Sequence, residues 1–251
     1  MIRENWNREW IFWKEEEKEK SRKIDLPHDA MIEETRGQDA PGGAASGFFY
    51  GGTYHYEKKF ELTGEEYEKV KKGERWICEF EGVMRWAYIF LNGHFVGRNF
   101  SGTCGFSVDL TSYLVKGKNV LHVKVKNHDQ PNCRWYTGSG IYRPVWLRKE
   151  PETGIFMESQ DIRIRTPEVS KEISEIAVQI PIVFREKEIK HVSLRTEIVG
   201  QSGESVSFEH TPVTLFPGEN PTIRQHLFVR DAKLWSPETP ALYQCRISLE
   251  E

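Results

Sequence analysis

The chain has 251 residues with a formal net charge of −3, enough for two ordinary domains and without the basic excess of a nucleic-acid or anionic-membrane surface. Aromatics are plentiful (14 Phe, 9 Tyr, 8 Trp), and Gly and Pro recur in short clusters, which favours an all-β chain with many turns over a helical bundle. No stretch approaches the roughly 18–20 apolar residues of a membrane span, and no apolar run opens the chain as a signal peptide would. Cys78, Cys104, Cys133 and Cys245 lack CxxC spacing, so reduced thiols in a cytoplasmic protein are expected, with no metal and no cofactor.

Trp6, Trp10, Phe12 and Trp13 are spaced like a strand or loop strapped onto a core, and the charge run Lys14 to Lys20 reads as a solvated loop. Ile24-Asp25-Leu26-Pro27-His28-Asp29 is a short extended segment that ends in a turn. Gly37 to Gly52 holds six Gly and three Ala with no helical period, which predicts a long irregular loop. From Tyr54 the period becomes two, with Tyr56, Lys58 and Phe60 alternating against Glu57, Lys59 and Glu61. Strands follow at Trp76 to Val83 and Trp86 to Leu91, and Asn92-Gly93 turns the second back through His94 to Gly97 as a hairpin. Phe106 to Leu110, Val120 to Val125 and Val145 to Leu147 complete the first set, and only Glu65 to Lys72 suits a helix. After a charged, Pro-containing pause at Lys149 to Gly154, six more strands are predicted: 161–165, 176–184, 192–199, 206–216, 223–229 and 242–249. Six strands in about 95 residues fit an immunoglobulin-like sandwich short of its seventh, closing strand.

In this order, several segments spell a known pattern. Ile24 to Asp29 is similar to the "DLPHD" segment of family-2 glycoside hydrolases, the β-galactosidase and β-glucuronidase family. Phe80-Glu81-Gly82-Val83, Ala87, Leu91-Asn92-Gly93 and Val96-Gly97 resemble its "FEGV…A…LNG…VG" core, and Phe106 to Leu110 its "F..DLT". Arg134-Trp135-Tyr136-Thr137-Gly138-Ser139-Gly140-Ile141-Tyr142-Arg143 resembles "RWYSGSGIYR". Leu234 to Pro240 with Leu242-Tyr243 resembles "LWSPENPYLY". The matches keep order and spacing across nearly the whole chain.

The resemblance implies a galactose-binding-like jelly-roll domain over 1–152 and an immunoglobulin-like β-sandwich over 153–251, truncated at its last strand. In the family a (β/α)₈ barrel follows and supplies two glutamates for retaining hydrolysis. A barrel needs at least about 200 further residues, so no catalytic residue is assigned here and the chain alone is expected to be inactive. The implied parent is an exo-β-glycosidase acting on β-galactosides or β-glucuronides, with this part framing the cleft of the barrel. A homo-oligomer is expected for the full-length enzyme, and neither nucleic acid nor membrane as partner. Stand-alone carbohydrate-binding module and structural interaction domain are the competing readings.

The resemblance also marks Arg134, Trp135 and Tyr136 as substrate-binding residues, in a loop from Asp129 to Arg143 that reaches over the barrel mouth in relatives. An arginine fork suits vicinal hydroxyls or a carboxylate, and the two rings suit the C–H face of a pyranose. The alternatives are an ion pair at the domain junction for Arg134 and packing for the rings. Arg134 stands where some relatives carry an aspartate, which puts galactose specificity in doubt. His28 and Asp29, adjacent on an extended chain, face opposite ways and suit a structural role better than an acid/base dyad. His94 and His128 have no spaced metal partners.

Overall fold

In a computed structural model describing residues 2–129, 131, 133–157 and 161–250, the chain forms two compact units, Met1–Glu152 and Thr153–Glu251. Both are built from antiparallel sheets. No helix among the described residues is long and apolar enough to cross a membrane.

The first unit carries β1 (Ile2–Asn5), β2 (Trp10–Lys14), β3 (Arg22–Ile24), β4 (Thr53–Leu62), β5 (Arg75–Phe80), β6 (Trp86–Leu91), β7 (His94–Asn99), β8 (Phe106–Asp109), β9 (Gly117–Lys126) and β10 (Val145–Glu150). They form a six-stranded sheet ordered β3-β2-β4-β9-β6-β7 and a four-stranded sheet ordered β1-β10-β5-β8. Strict alternation sends one set of side chains from each sheet into a common core. Trp10, Phe12, Tyr54, Tyr56, Ile89, Leu121, Val123 and Val125 come from the larger sheet, and Trp76, Cys78, Phe80, Val108, Val145 and Leu147 from the smaller. Burial of this apolar area is what stabilises the sandwich, at about 25 cal/mol per Å². Asn92 and Gly93 both adopt positive φ, 51° and 83°, and turn β6 into β7. The helix α1 (Gly64–Lys72) begins in a capping box, with Thr63 Oγ1 accepting from Glu66 N at 3.2 Å and Thr63 N donating to Glu66 Oε2 at 2.9 Å.

The aromatic segment at the start of the chain is a full member of the larger sheet: β2 lies between β3 and β4, and Phe12 pairs with Tyr56. Two further strands carry too little alternation to be seen in the sequence. They are β1, four residues long, and β3, three residues long, both at sheet edges.

The second unit carries β11 (Ile155–Phe156), β12 (Arg163–Arg165), β13 (Ile173–Pro181), β14 (Val183–Phe184), β15 (Lys190–Val199), β16 (Ser205–Leu215), β17 (Thr222–Arg230) and β18 (Gln244–Glu250). One sheet is ordered β12-β13-β17 and the other β16-β15-β18, with β11 and β14 pairing separately. Ile176, Val178, Ile180, Leu227 and Val229 from the first sheet meet Leu194 and Ile198 from the second, which defines a sandwich core. The chain is thus all-β, a jelly-roll-type sandwich followed by an immunoglobulin-like one.

Candidate functional site

The segment from Asn127 to Arg143 runs between β9 and β10, and its path is set by backbone pairing with two distant stretches. His28 N donates to Ile141 O at 2.8 Å and Ala30 N to Ser139 O at 2.7 Å, while Met84 and Gly140 exchange bonds of 2.8 and 2.5 Å. Gly140 sits at φ 107°, and a Cβ there would stand 2.1 Å from the Tyr56 hydroxyl, so both its conformation and its close approach demand glycine. Gly51 has the same kind of constraint: a Cβ would meet Asn127 O at 2.0 Å.

Asp29 ties the loop down. Its Oδ1 accepts from Ser139 N at 2.9 Å and Met31 N at 3.0 Å, and its Oδ2 accepts from the Tyr136 hydroxyl at 2.6 Å. Burial and the Asp29 charge together push the Tyr136 phenol above its ordinary range, so it remains a donor. Below, the buried Asn127 donates to Gly138 O at 3.0 Å and to Ser139 Oγ at 2.6 Å. The Tyr136 ring meets Phe49 with centroids 5.7 Å apart, and the Arg36 guanidinium lies 4.6 Å over the other ring, Phe49. A half-buried carboxylate and a buried amide, both satisfied by hydrogen bonds, hold Tyr136 to Ser139 from beneath.

His28 and Asp29 engage different partners. His28 Nδ1 meets the Tyr56 hydroxyl at 2.9 Å and Nε2 meets Glu33 Oε1 at 3.1 Å. Glu33, also paired with Arg22, is acceptor-only, so His28 carries its proton on Nε2 and Nδ1 accepts from Tyr56. Burial lowers the His28 pKa and raises that of Tyr56, so both stay neutral. This cluster braces the sheet and offers no group poised to exchange a proton near neutrality. Among the described residues, no group of three or more His, Cys, Asp or Glu is placed to hold a metal ion.

Of the three residues marked by the sequence, Trp135 is 66% exposed and Tyr136 37% exposed, and Arg134 is exposed with no ion pair among the described residues. Their loop includes Gln130 and Asn132, which lie outside the described residues. The structure therefore brings Tyr136 onto Asp29 and Phe49 and leaves Arg134 and Trp135 facing solvent. Sequence reading did not single out Asp29 or Phe49 as partners of Tyr136, because 107 residues separate Asp29 from Tyr136 and only the folded sheet joins them.

Two family models match the chain. Residues 45–151 match the sugar binding domain of glycosyl hydrolases family 2, and residues 158–251 match glycosyl hydrolases family 2. The β-galactosidase BoGH2A of Bacteroides ovatus is 34% identical over 88% of this chain, which covers 25% of that protein. A putative β-glucuronidase of Formosa agariphila is 27% identical over 99% of the chain and 23% of its own length. Among solved structures, a family-2 glycosyl hydrolase of Bacteroides cellulosilyticus superimposes with a TM-score of 0.79 at 30% identity, over 100% of this chain and 33% of that one. The chain thus spans about a quarter of the length of the curated relatives it matches. Both units align in order with the front part of these enzymes, and the chain belongs to glycosyl hydrolase family 2, of which it carries the sugar-binding domain and the sandwich next to it in sequence.

Proposed function

We propose that this chain is the non-catalytic, substrate-framing part of a retaining exo-β-glycosidase that acts on β-galactosides or β-glucuronides. The hydrolytic carboxylates belong to a barrel of the same enzyme, and the loop of Arg134, Trp135 and Tyr136 meets the sugar at that barrel's mouth. One observation carries this reading: a loop with an exposed indole and an exposed guanidinium is clamped from below by Asp29 and Asn127. An exposed aromatic on a fixed backbone costs little ordering entropy when it meets a ligand. The relatives named β-galactosidase and β-glucuronidase supply the substrate classes. A guanidinium serves either, by bridging vicinal hydroxyls or by gripping a carboxylate in bidentate fashion.

In the intact hydrolase, Arg134→Ala is expected to lower kcat/KM by about 1–3 kcal/mol of transition-state binding. Unchanged kinetics would remove Arg134 from the site. Homo-oligomerisation through either unit belongs to the same proposal and is read out by sedimentation of the intact enzyme.

A further inference from the structure

The outer face of the six-stranded sheet carries a polar-aromatic cluster that the loop site does not use. Alternation on β2, β4, β9 and β6 puts Trp13, His55, Glu57, Val120, His122, Lys124 and Phe90 on the side away from the core. Strand pairing aligns them: Trp13 lies opposite His55, His55 opposite Lys124, Glu57 opposite His122, and His122 opposite Phe90. With Lys18 and Gly93 they line a cavity of about 480 Å³. That is a ligand-sized volume.

The hydrogen bonds across this face fix every proton. Glu15 accepts from Lys124 Nζ at 2.7 Å and is also bound to His55 Nε2. The ammonium beside it holds its carboxyl below the usual range, so Glu15 is acceptor-only and His55 must carry its proton on Nε2. His55 is kept neutral by burial, which leaves Nδ1 as a lone pair. That lone pair lies 2.8 Å from His122 Nε2, which is therefore the donor. The two imidazoles are within 2° of parallel with centroids 5.1 Å apart, as an in-plane hydrogen bond requires. His122 Nδ1 is then left as an acceptor, and no hydrogen bond reaches it among the described residues. Trp13 lies parallel to both rings, within 5° and 7°, at 5.0 and 5.7 Å.

We propose that this cavity is a second saccharide site, separate from the loop, that takes one pyranose. Each sugar hydroxyl both donates and accepts, and the cavity offers both: His122 Nδ1 and the Glu57 carboxylate accept, while the Lys18 and Lys124 ammonium groups donate. The half-buried ring of Phe90, with the 8% of the Trp13 indole that stays exposed, supplies apolar surface for the C–H face of the sugar. A sugar at the loop and another here are compatible, because the two sites share no residue.

The test uses the ¹⁵N-labelled chain, titrated separately with methyl β-D-galactopyranoside and methyl β-D-glucuronide. Imidazole ¹⁵N spectra of the free chain should show Nε2–H tautomers for both His55 and His122. Either sugar should produce saturable shifts at His122 Nδ1 and the Trp13 indole. Trp135→Ala should leave these shifts unchanged, and His122→Phe should weaken galactoside binding by about tenfold. Val120→Phe, which fills the cavity and keeps both histidines in the chain, should abolish binding and serves as the test where His122→Phe disturbs folding. Absence of saturable shifts at His122 and Trp13 with both sugars overturns the proposal. So would shifts at this face that grow with protein concentration and not with sugar, since they would assign it to self-association. Failure here leaves the loop site standing, because Arg134 and Trp135 are read out by the kinetics of the intact enzyme.

Discussion

In the first unit Tyr54, Tyr56, Leu121, Val123 and Val125 are fully covered between the sheets, whereas in the second the inward side chains of β18, Cys245, Ile247 and Leu249, are only half-buried. The contrast follows from sheet width. In the first unit six strands face four, so every inward residue near the centre has neighbours on all sides. In the second, three strands face three, and β18 is an edge strand paired only with β15 among the described residues. Wide sheets make a core that stands by itself and can hold a loop in place; narrow ones leave apolar side chains such as Trp235 and Leu242, 60% and 70% exposed, near the surface.

The comparison can be broken by truncation. Phe80, 1% exposed and stacked on Phe106 at 5.0 Å, should cost about 3–5 kcal/mol on Phe80→Ala, seen as loss of amide protection in β5 with β13 unaffected. Asp29→Ala removes the acceptor of three hydrogen bonds and should cost about 2–3 kcal/mol in the same unit. It should also free Ser139 N to exchange rapidly. Protonation sharpens the contrast further. His122 is pushed down to about 4 from an ordinary 6.5 by burial, and His55 in the same direction. A histidine whose folded pKa lies below its unfolded one costs stability as the pH falls, so the first unit should hold constant above pH 6.5. Between 6.5 and 4 it should lose on the order of 1 kcal/mol, a slope that His122→Phe flattens. The smallest effect belongs to β18. Leu249→Ala removes a half-exposed side chain and should cost about 0.5–1 kcal/mol by urea denaturation. A loss as large as that of Phe80→Ala would show that the second unit is packed as tightly as the first.

Where alternation ran unbroken, the sequence was a sufficient guide. Tyr56, Lys58 and Phe60 face inward as their period indicates, and the turn at Asn92-Gly93 follows from the positive φ that both residues tolerate. The short edge strands β1 and β3 escaped because three or four residues carry almost no period. What no local pattern contains is register. Glu15, His55 and His122 are separated by 40 and 67 residues, and each alone reads as an ordinary polar residue, Glu15 in a solvated charge run and the histidines on strands. Only the alignment of β2, β4 and β9 makes them one proton-ordered row. The loop site was half legible: the residues from Arg134 to Arg143 carry the family pattern, but the carboxylate that anchors Tyr136 sits more than a hundred positions earlier.

Pairing of β1 with β10 sets Ile2 beside Lys149 and Asn5 beside Trp146. The first and last strands of the unit are therefore neighbours in one ladder, which gives it the topology of an insertable cassette. A short peptide bridging those two ends, with new ends opened just after the exposed Gly93, would permute the first unit circularly while leaving the sheet order, the Asp29 clamp and the histidine row intact.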